Sequence, residues 1–158
     1  MKTKVAIIMG SKSDSPIMSE AENMLKAFGI KPEVRVLSAH RTPLATINYT
    51  VSARVKGIKV IIAGAGGAAH LAGVIAAHTT LPVIGVPMPT RYLKGIDSLF
   101  STVQMPSGVP VATMAIGKSG AKNAAILAVQ ILALEDKKLE QKIAQFKRKL
   151  AASIKKKR

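Results

Sequence analysis

The sequence of 158 residues contains no cysteine and few aromatic or acidic residues. The absence of cysteine excludes disulfide bonds, thiolate metal ligands and a cysteine nucleophile, and it is compatible with a reducing compartment. Aromatic residues make up only 3% of the chain, which leaves few rings on which nucleic-acid bases could stack. Because the eight acidic residues are scattered and the three histidines lie 30 and 8 residues apart, we expect no metal site.

Long apolar runs and a leader segment are also missing. The apolar runs are too short and too broken to span a bilayer, and the first residues lead directly into a strand-like run without the apolar core of a signal peptide. We therefore expect a soluble, cytoplasmic protein with no membrane partner. The length and the 48% hydrophobic content predict one domain over residues 1–158, with a core over about 4–134 and a basic C-terminal helix and tail over about 136–158.

The charge is strongly one-sided, since 24 Lys and Arg against 8 Asp and Glu give a net charge of +16. Such an excess, taken alone, suggests a polyanion partner such as nucleic acid. From Lys137 to Arg158, however, the chain has ten basic residues and one acidic residue, a net charge of +9, whereas residues 1–136 have 14 and 7, a net charge of +7. We interpret the basic tail as solubilising or packing-related and expect no nucleic-acid partner.

Five short runs rich in β-branched residues alternate with helical patterns. Near-continuous apolar runs of this kind are typical of parallel strands that are covered on both faces. The alternation predicts an α/β fold, a three-layer doubly wound sheet of about five parallel strands in a flavodoxin-like order. The predicted strands are Val5–Met9, Glu33–Leu37, Lys59–Ala63, Pro82–Val86 and Val109–Ala115.

Capping and periodicity signals predict five helices between and after these strands. The first is capped by Ser13, Asp14 or Ser15 with Pro16 in its first turn and ends at Gly29, the second runs from Thr42-Pro43 to Gly57, the third begins near residues 67–70, and the fourth covers about Ala121 to Leu134. The fourth helix is apolar nearly all round, so we predict burial between subunits of a homo-oligomer. The fifth is amphipathic and should pack on the body through Leu139, Ile143, Phe146 and Leu150, and Lys155–Arg158 should fray.

Ligands of doubly wound sheets collect where the strands end, so the loops after the first three strands form the candidate site. The loop Gly10–Asp14 combines a glycine turn, hydroxyls and a helix N-terminus, which together suit an anion. Ser11 could donate to a phosphate there and Asp14 could accept from ribose hydroxyls, unless Ser13 and Asp14 only cap the helix. In the second loop, Ser38–Pro43, His40 can exchange a proton and the planar guanidinium of Arg41 can bind a phosphate with two parallel hydrogen bonds. The alternative is that this is an ordinary exposed loop before a helix.

The third loop, Gly64–His70, has so few large side chains that a planar ligand could lie against its backbone. His70 at its end is a second candidate for proton transfer, or a structural histidine. We assign no chemistry to His78, which a helix C-terminus explains. The dinucleotide and P-loop patterns around Gly64–Ala69 and Gly117–Ser119 each lack a required glycine.

Six segments, in order and with matching spacing, resemble the class I PurE family of purine biosynthesis, the N5-carboxyaminoimidazole ribonucleotide mutases. The resemblance extends from about Val5 to Leu134. The sequence departs from the family pattern at Ala72, where proline is common, and in segment 88–94, which is bulky and basic where the family has small residues. The segments that carry the resemblance are Met9–Asp14, Ser38–Pro43, Ala63–Leu71, Asp97–Leu99, Val103–Pro110 and Ala115–Gly117.

The resemblance implies conversion of N5-carboxyaminoimidazole ribonucleotide to 4-carboxy-5-aminoimidazole ribonucleotide, without a metal or an organic cofactor. The substrate would lose CO2, and the ring carbon would attack the CO2 trapped in a closed, dry cavity bordered in part by Met105-Pro106. Carried over by position, His40 is the general acid and then the general base, with His70 beside it. Ser11 and Arg41 contact the phosphate, Asp14 contacts the ribose, and Ser38, Ala65, Gly66 and Leu71 are further substrate-binding residues. Family members are octamers with active sites near subunit boundaries.

Three alternatives remain beside this interpretation. A class II enzyme would carboxylate aminoimidazole ribonucleotide directly with CO2 on the same fold, although His70-Leu71 resembles class I. A basic nucleic-acid-binding module would account for the charge, but the chain has no recognised binding motif. An inert nucleotide-binding scaffold is disfavoured because His40 is present.

Overall fold

The computed structural model describes residues 4–155, and these form a five-stranded parallel sheet with helices on both faces. The strand order is β2-β1-β3-β4-β5, which confirms the flavodoxin-like order. The strands are β1 (Val5–Met9), β2 (Glu33–Val36), β3 (Val60–Ala65), β4 (Val83–Pro87) and β5 (Ala112–Thr113). The helices are α1 (Ser15–Ala27), α2 (Pro43–Ala53), α3 (Leu71–Ala77), α4 (Ile96–Val103), α5 (Lys118–Ala133) and α6 (Lys137–Lys155).

The sheet separates two hydrophobic cores, because successive side chains of a strand point to opposite faces. On β1, Val5, Ile7 and Met9 join the core that contains α1, α5 and α6. Ala6 and Ile8 join the other core, with side chains of α2 and α3. All five residues of β1 are buried, which explains why the strand is a continuous apolar run.

The predicted strands are confirmed with shifts of one or two residues at most ends, except for the fifth. The sequence predicted Val109–Ala115, whereas β5 comprises only Ala112–Thr113. Pro110 has no N–H for a ladder bond, and β5 lies at the sheet edge, where short strands are common. Beyond β5 the chain stays beside β4 through isolated bonds, such as the one from Met114 N–H to the Gly85 carbonyl.

A 3-10 turn, Lys12–Asp14, precedes α1 and refines the predicted cap. The Ser11 hydroxyl accepts the Ser13 N–H, and the Asp14 carboxylate accepts the Ser11 N–H, so the two side chains form a reciprocal capping box. Ser11 therefore caps this additional turn, whereas the sequence predicted Ser13, Asp14 or Ser15 as the cap of the helix itself. Asp14 occupies the N-cap position of α1, but its side chain makes no cap bond to that helix.

Helix α4 was not predicted from the sequence. Gly95, with φ of +99°, precedes it, and Ile96, Leu99, Phe100 and Val103 follow the spacing of one helix face. That periodicity was the available signal, but a helix of two turns is too short to stand out. Ser98 and Thr102 lie on its buried side.

Most of the apolar surface of α5 is covered by its own chain, so the apolarity of this helix does not require the second subunit that the sequence suggested. Helix α5 packs against α1, α6 and strands β3 and β4. Its small residues Ala121, Ala124, Ala125 and Ala128 are fully buried, and they allow the neighbouring elements to approach closely. A helix enclosed on three sides is apolar nearly all round without any second subunit.

The first part of α6 packs on the body as predicted. Leu139 is buried, and the Phe146 ring meets Phe28 edge-on with 5.5 Å between ring centroids. The Lys142 ammonium donates to the Phe28 carbonyl at 2.8 Å, so it caps the C-terminus of α1. Leu150 is 54% exposed, so the end of the predicted stripe is not covered. The sequence predicted that residues 155–158 fray, and residues 156–158 lie outside the part of the chain that the structure describes.

Candidate active site

Three strand-end loops meet at the carboxyl edge of the sheet and enclose a cavity of about 380 Å³. They follow β1, β2 and β3, which are neighbours in the sheet. All nine site residues predicted from the sequence lie in its wall. The lining residues are Gly10, Ser11, Ser13, Asp14, Ser38, Ala39, His40, Arg41, Ala65, Gly66, Ala69, His70 and Leu71.

Two histidines from different loops form a direct pair in this cavity. Nε2 of His40 lies 2.6 Å from Nδ1 of His70, and the rings meet edge-on at 4.8 Å between centroids. In an N–H···N bond one nitrogen carries the hydrogen and the other accepts it, so the tautomers of the two rings are linked. A proton on either ring can therefore pass directly to the other.

Arg41 lies across the first and second loops. Its Nη2 donates to the Gly10 carbonyl at 2.8 Å, and its backbone N–H donates to the Ser38 hydroxyl at 3.2 Å. The Thr42 hydroxyl holds Ser38 in turn, since it accepts the Ser38 N–H and donates to the Ser38 carbonyl. Further guanidinium donors remain for an anionic ligand.

Asp14 is half-buried beside this guanidinium. Burial raises the pKa of Asp14 above its ordinary value of 3.8, whereas the Ser11 N–H and the Arg41 charge oppose the rise. The burial penalty exceeds the two favourable interactions, so the folded protein holds this carboxylate at a cost. A ligand that donates hydrogen bonds to Asp14 would offset that cost.

We predict that Asp14→Asn leaves the melting temperature at pH 7 unchanged or raises it. The asparagine oxygen can still accept the Ser11 N–H, while the desolvated charge is gone. Since folding raises the pKa of Asp14, the wild type gains stability relative to the variant at low pH and loses it as pH rises from about 3.8 through the raised value. Thermal unfolding of both proteins across this range measures the effect.

The same substitution at Asp136 is the matched control. Asp136 caps α6 outside the cavity by accepting the N–H groups of Lys138 and Leu139. Asp136→Asn should lower the melting temperature, because the Asp136 carboxylate bonds two N–H groups at the start of α6 and pairs with Lys4 at 3.9 Å, whereas Asp14 makes no cap bond to α1. A clear fall for Asp14→Asn at pH 7 would contradict our account of its burial.

The third loop forms a wall with little side-chain material. Just before this loop, Gly64 at the end of β3 lies against the core: a Cβ there would be 2.5 Å from the Met18 sulfur and 2.8 Å from the Met88 methyl. Gly67 has φ of +66° and Ala69 has φ of +45°, both in the left-handed region. The Ala69 N–H closes the turn onto the Gly66 carbonyl.

A second cavity, of about 440 Å³, adjoins the first and shares Gly10, Ser11, Ser38 and Arg41 with it. Its other lining residues are Lys12, Val36 and Thr42. Sequence reasoning did not single out Lys12, although it lies inside the Met9–Asp14 segment. Together, the exposed Lys12 and Arg41 make this end of the cleft basic.

The cleft is open in the single chain, since His40, Arg41 and His70 are all exposed. Met105 does not line either cavity, because its side chain packs 3.2 Å from the position of a Cβ on Gly73. The closed, dry cavity bordered by Met105-Pro106 is therefore not formed by one chain alone.

His78 lies outside the cleft at the end of α3, where its Nδ1 is 2.8 Å from the Val74 carbonyl. Among the residues that the structure describes, no three His, Cys, Asp or Glu side chains lie close enough to hold a metal ion. Over the same part of the chain, no helix combines the length and apolarity needed to cross a membrane.

Comparisons with known proteins show which family the chain belongs to. A family model described as AIR carboxylase matches residues 4–153. A relative from Saccharolobus solfataricus, named N5-carboxyaminoimidazole ribonucleotide mutase, is 61% identical over 143 residues, covering 90% of this chain and 89% of the relative. A relative of the same name from Vibrio parahaemolyticus is 56% identical over 151 residues, covering 96% and 94%.

The fold comparison gives the same result. The crystal structure of Treponema denticola PurE superimposes with a TM-score of 0.88 at 30% sequence identity, covering 96% of this chain and 94% of that one. The resemblance inferred from the sequence motifs is therefore confirmed. Because the family model spans nearly the whole chain and both named relatives share more than half of their aligned residues with it, the chain belongs to the AIR carboxylase family.

Proposed function

We propose that this protein converts N5-carboxyaminoimidazole ribonucleotide to 4-carboxy-5-aminoimidazole ribonucleotide in purine biosynthesis, as the names of its relatives state for them. The observation that carries the proposal is the convergence of three loops on one cleft. That cleft combines a basic end, a wall of small residues and the His40–His70 pair at 2.6 Å. These are the groups that a ribonucleotide undergoing proton transfer requires.

The basic end of the cleft binds the phosphate of the substrate in our proposal. Ser11, Ser38 and Arg41 border both cavities and supply hydroxyl and guanidinium donors. Lys12 adds positive charge at the same end. Asp14 accepts the ribose hydroxyls, and these bonds offset the cost of its burial.

The imidazole ring of the substrate lies against the backbone of Ala65 and Gly66, near Leu71. The carbamate N–C bond breaks, CO2 leaves, and its bonding electron pair returns to the exocyclic nitrogen, which takes a proton from His40. The ring carbon then attacks CO2 to form the new C–C bond. His40, now neutral, removes the proton from that carbon and restores the aromatic ring, so the enzyme ends with the proton it started with.

His70 is the second proton carrier in this scheme. Its Nδ1 is the direct partner of His40 Nε2, so it can hold the hydrogen whenever His40 has given one up. It also fixes which His40 nitrogen carries hydrogen before the reaction starts. We therefore assign His40 as the general acid and base and His70 as its catalytic neighbour.

Direct carboxylation of aminoimidazole ribonucleotide by CO2 is not favoured, because the relatives with 51–61% identity are named mutases. Purified protein incubated with each substrate in turn tests the proposal. We expect rapid formation of 4-carboxy-5-aminoimidazole ribonucleotide from the N5-carboxy substrate, and much slower formation from aminoimidazole ribonucleotide and bicarbonate. Equal rates from both would overturn the mutase assignment.

We predict that Arg41→Lys raises KM about tenfold or more with a smaller change in kcat, because an ammonium cannot reproduce the guanidinium fork on a phosphate. Steady-state kinetics with the N5-carboxy substrate measures both values. Arg54→Lys is the control, since Arg54 is exposed and donates to the Thr80 hydroxyl outside the cleft. If Arg41→Lys and Arg54→Lys have the same KM, Arg41 does not bind the phosphate.

We further propose that the protein is a homo-oligomer, specifically an octamer, whose neighbouring subunits help to close the cleft. Helix α4 supports this proposal, because Ile96, Phe100 and Val103 are about half exposed, as is Leu93, and Tyr92 beside them is more exposed still. An apolar patch of this kind is typical of protein–protein contact surfaces. Sedimentation should give eight times the chain mass of 16.6 kDa, and a monomer would contradict the proposal.

Two smaller proposals accompany this one. The cytoplasm is the proposed location, because de novo nucleotide synthesis would supply the substrate there. Neither a cofactor nor a nucleic-acid partner is required, since the scheme uses only side chains of the cleft and its substrate.

A further inference from the structure

Helix α4 is joined to the wall of the cleft by one buried side chain. Ser98 is fully buried, and its Oγ accepts the N–H of Gly67 at 2.9 Å. Gly67 belongs to the third loop, whereas Ser98 lies 31 residues further along the chain. This contact links the cleft to an element that does not line either cavity.

The contact holds a turn that does not adopt its conformation freely. Gly67 and Ala69 both have positive φ, and Ala69 is not glycine, so the turn is strained. A strained turn persists only when its surroundings hold it in place. The hydrogen bond from the Gly67 N–H to the Ser98 hydroxyl holds the centre of this turn, three residues before His70.

The N-terminus of α4 is itself held in place. The Asp97 carboxylate accepts the Thr90 hydroxyl at 2.8 Å, and the Thr90 oxygen accepts the Gly95 N–H at 3.1 Å. Ser98 is the next residue after Asp97, so its hydroxyl is presented from a fixed position.

We propose that Ser98 is a positioning residue of the active site. By holding the turn at Gly67, it fixes the position of the third loop in the cleft and of His70 opposite His40. This inference rests on the proposed function, because that function places the reacting imidazole against Ala65 and Gly66, next to the turn that Ser98 holds. The phosphate and ribose contacts belong to the other two loops. Loss of the Ser98 hydroxyl therefore lowers kcat and leaves KM nearly unchanged.

The test compares Ser98→Ala with Thr102→Val. Thr102 lies one turn further along the same helix, is also buried, and its hydroxyl donates only to the Ser98 carbonyl. Both variants lose one buried hydroxyl, but only Ser98→Ala frees the Gly67 N–H. We expect Ser98→Ala to lower kcat about tenfold to 100-fold, since a small misplacement of a reacting group has effects of this size. Thr102→Val should keep the kcat of the wild type.

Hydrogen exchange of the Gly67 amide gives a readout that does not depend on activity. In the wild type this amide should exchange at least about tenfold more slowly than in an unstructured chain, and Ser98→Ala should remove that protection. Equal kcat for the two variants would overturn the proposal, as would an unprotected Gly67 amide in the wild type, which can be measured even if Ser98→Ala does not fold. A wild type without mutase activity would refute the proposed function instead, while the exchange result would still decide whether Ser98 holds the turn.

Discussion

His40→Asn should lower kcat at least about 1000-fold while the protein stays folded, because the same imidazole both donates and removes a proton in the reaction. Asparagine can hydrogen bond to His70 but cannot carry a proton between two positions. His40 is exposed, so its replacement removes no core packing. Substrate binding should persist, since the phosphate and ribose contacts lie on other side chains. Rate measurements under saturating substrate, with thermal unfolding of the same preparation, test this expectation.

His78→Asn is the control for this substitution. His78 is an exposed histidine whose ring contacts the Val74 carbonyl at the end of α3, away from the cleft. It should turn over substrate at the rate of the wild type. An active His40→Asn enzyme would refute the assignment of His40 as the proton carrier.

Gly120→Ala should have the largest effect on stability. A Cβ at this position would overlap the carbonyl oxygen of Ala115 and lie 2.6 Å from its carbon, and both are backbone atoms that no rotamer change can move aside. Overpacking against backbone at the start of α5 should cost about 3 kcal/mol or more. For a chain of this size that lowers the melting temperature by about 6–12 °C, which calorimetry at fixed protein concentration would measure.

The neighbouring substitution Ser119→Ala separates this clash from a general effect of alanine in the helix. Ser119 is exposed on the same first turn of α5, so the same residue introduced there meets no backbone. Its melting temperature should stay within a few degrees of the wild type. Similar melting temperatures for the two variants would show that α5 does not approach Ala115 as closely as the structure indicates.

The residues of the cleft could be predicted from the sequence because each of them follows closely after a strand that its own apolar run identifies. Apolar runs identify the parallel strands, and the carboxyl ends of neighbouring parallel strands meet at one edge, so the residues that follow them must gather there. His40 and Arg41 follow β2, and Ser11 and Asp14 follow β1, directly after the runs that predicted those strands. That argument required no knowledge of how the helices pack.

Features that depend on packing between distant segments could not be predicted in this way. The 2.6 Å contact between His40 and His70 and the bond from Gly67 to Ser98 both join residues about 30 positions apart. The apolarity of α5 suggested a second subunit, because the sequence does not reveal that α1, α6 and the sheet enclose that helix. Helix α4 and the two-residue β5 were misjudged because short elements carry too few residues for a clear period.

The central claim, a carboxyl shift through trapped CO2, is tested most directly by following the carboxyl carbon. The N5-carboxy substrate would be labelled with carbon-13 at that carbon and converted by the wild type in the presence of excess unlabelled bicarbonate. We predict that the 4-carboxy product keeps the label, because CO2 released in the cleft reacts before it can escape. Product that carries mainly unlabelled carbon would contradict the account.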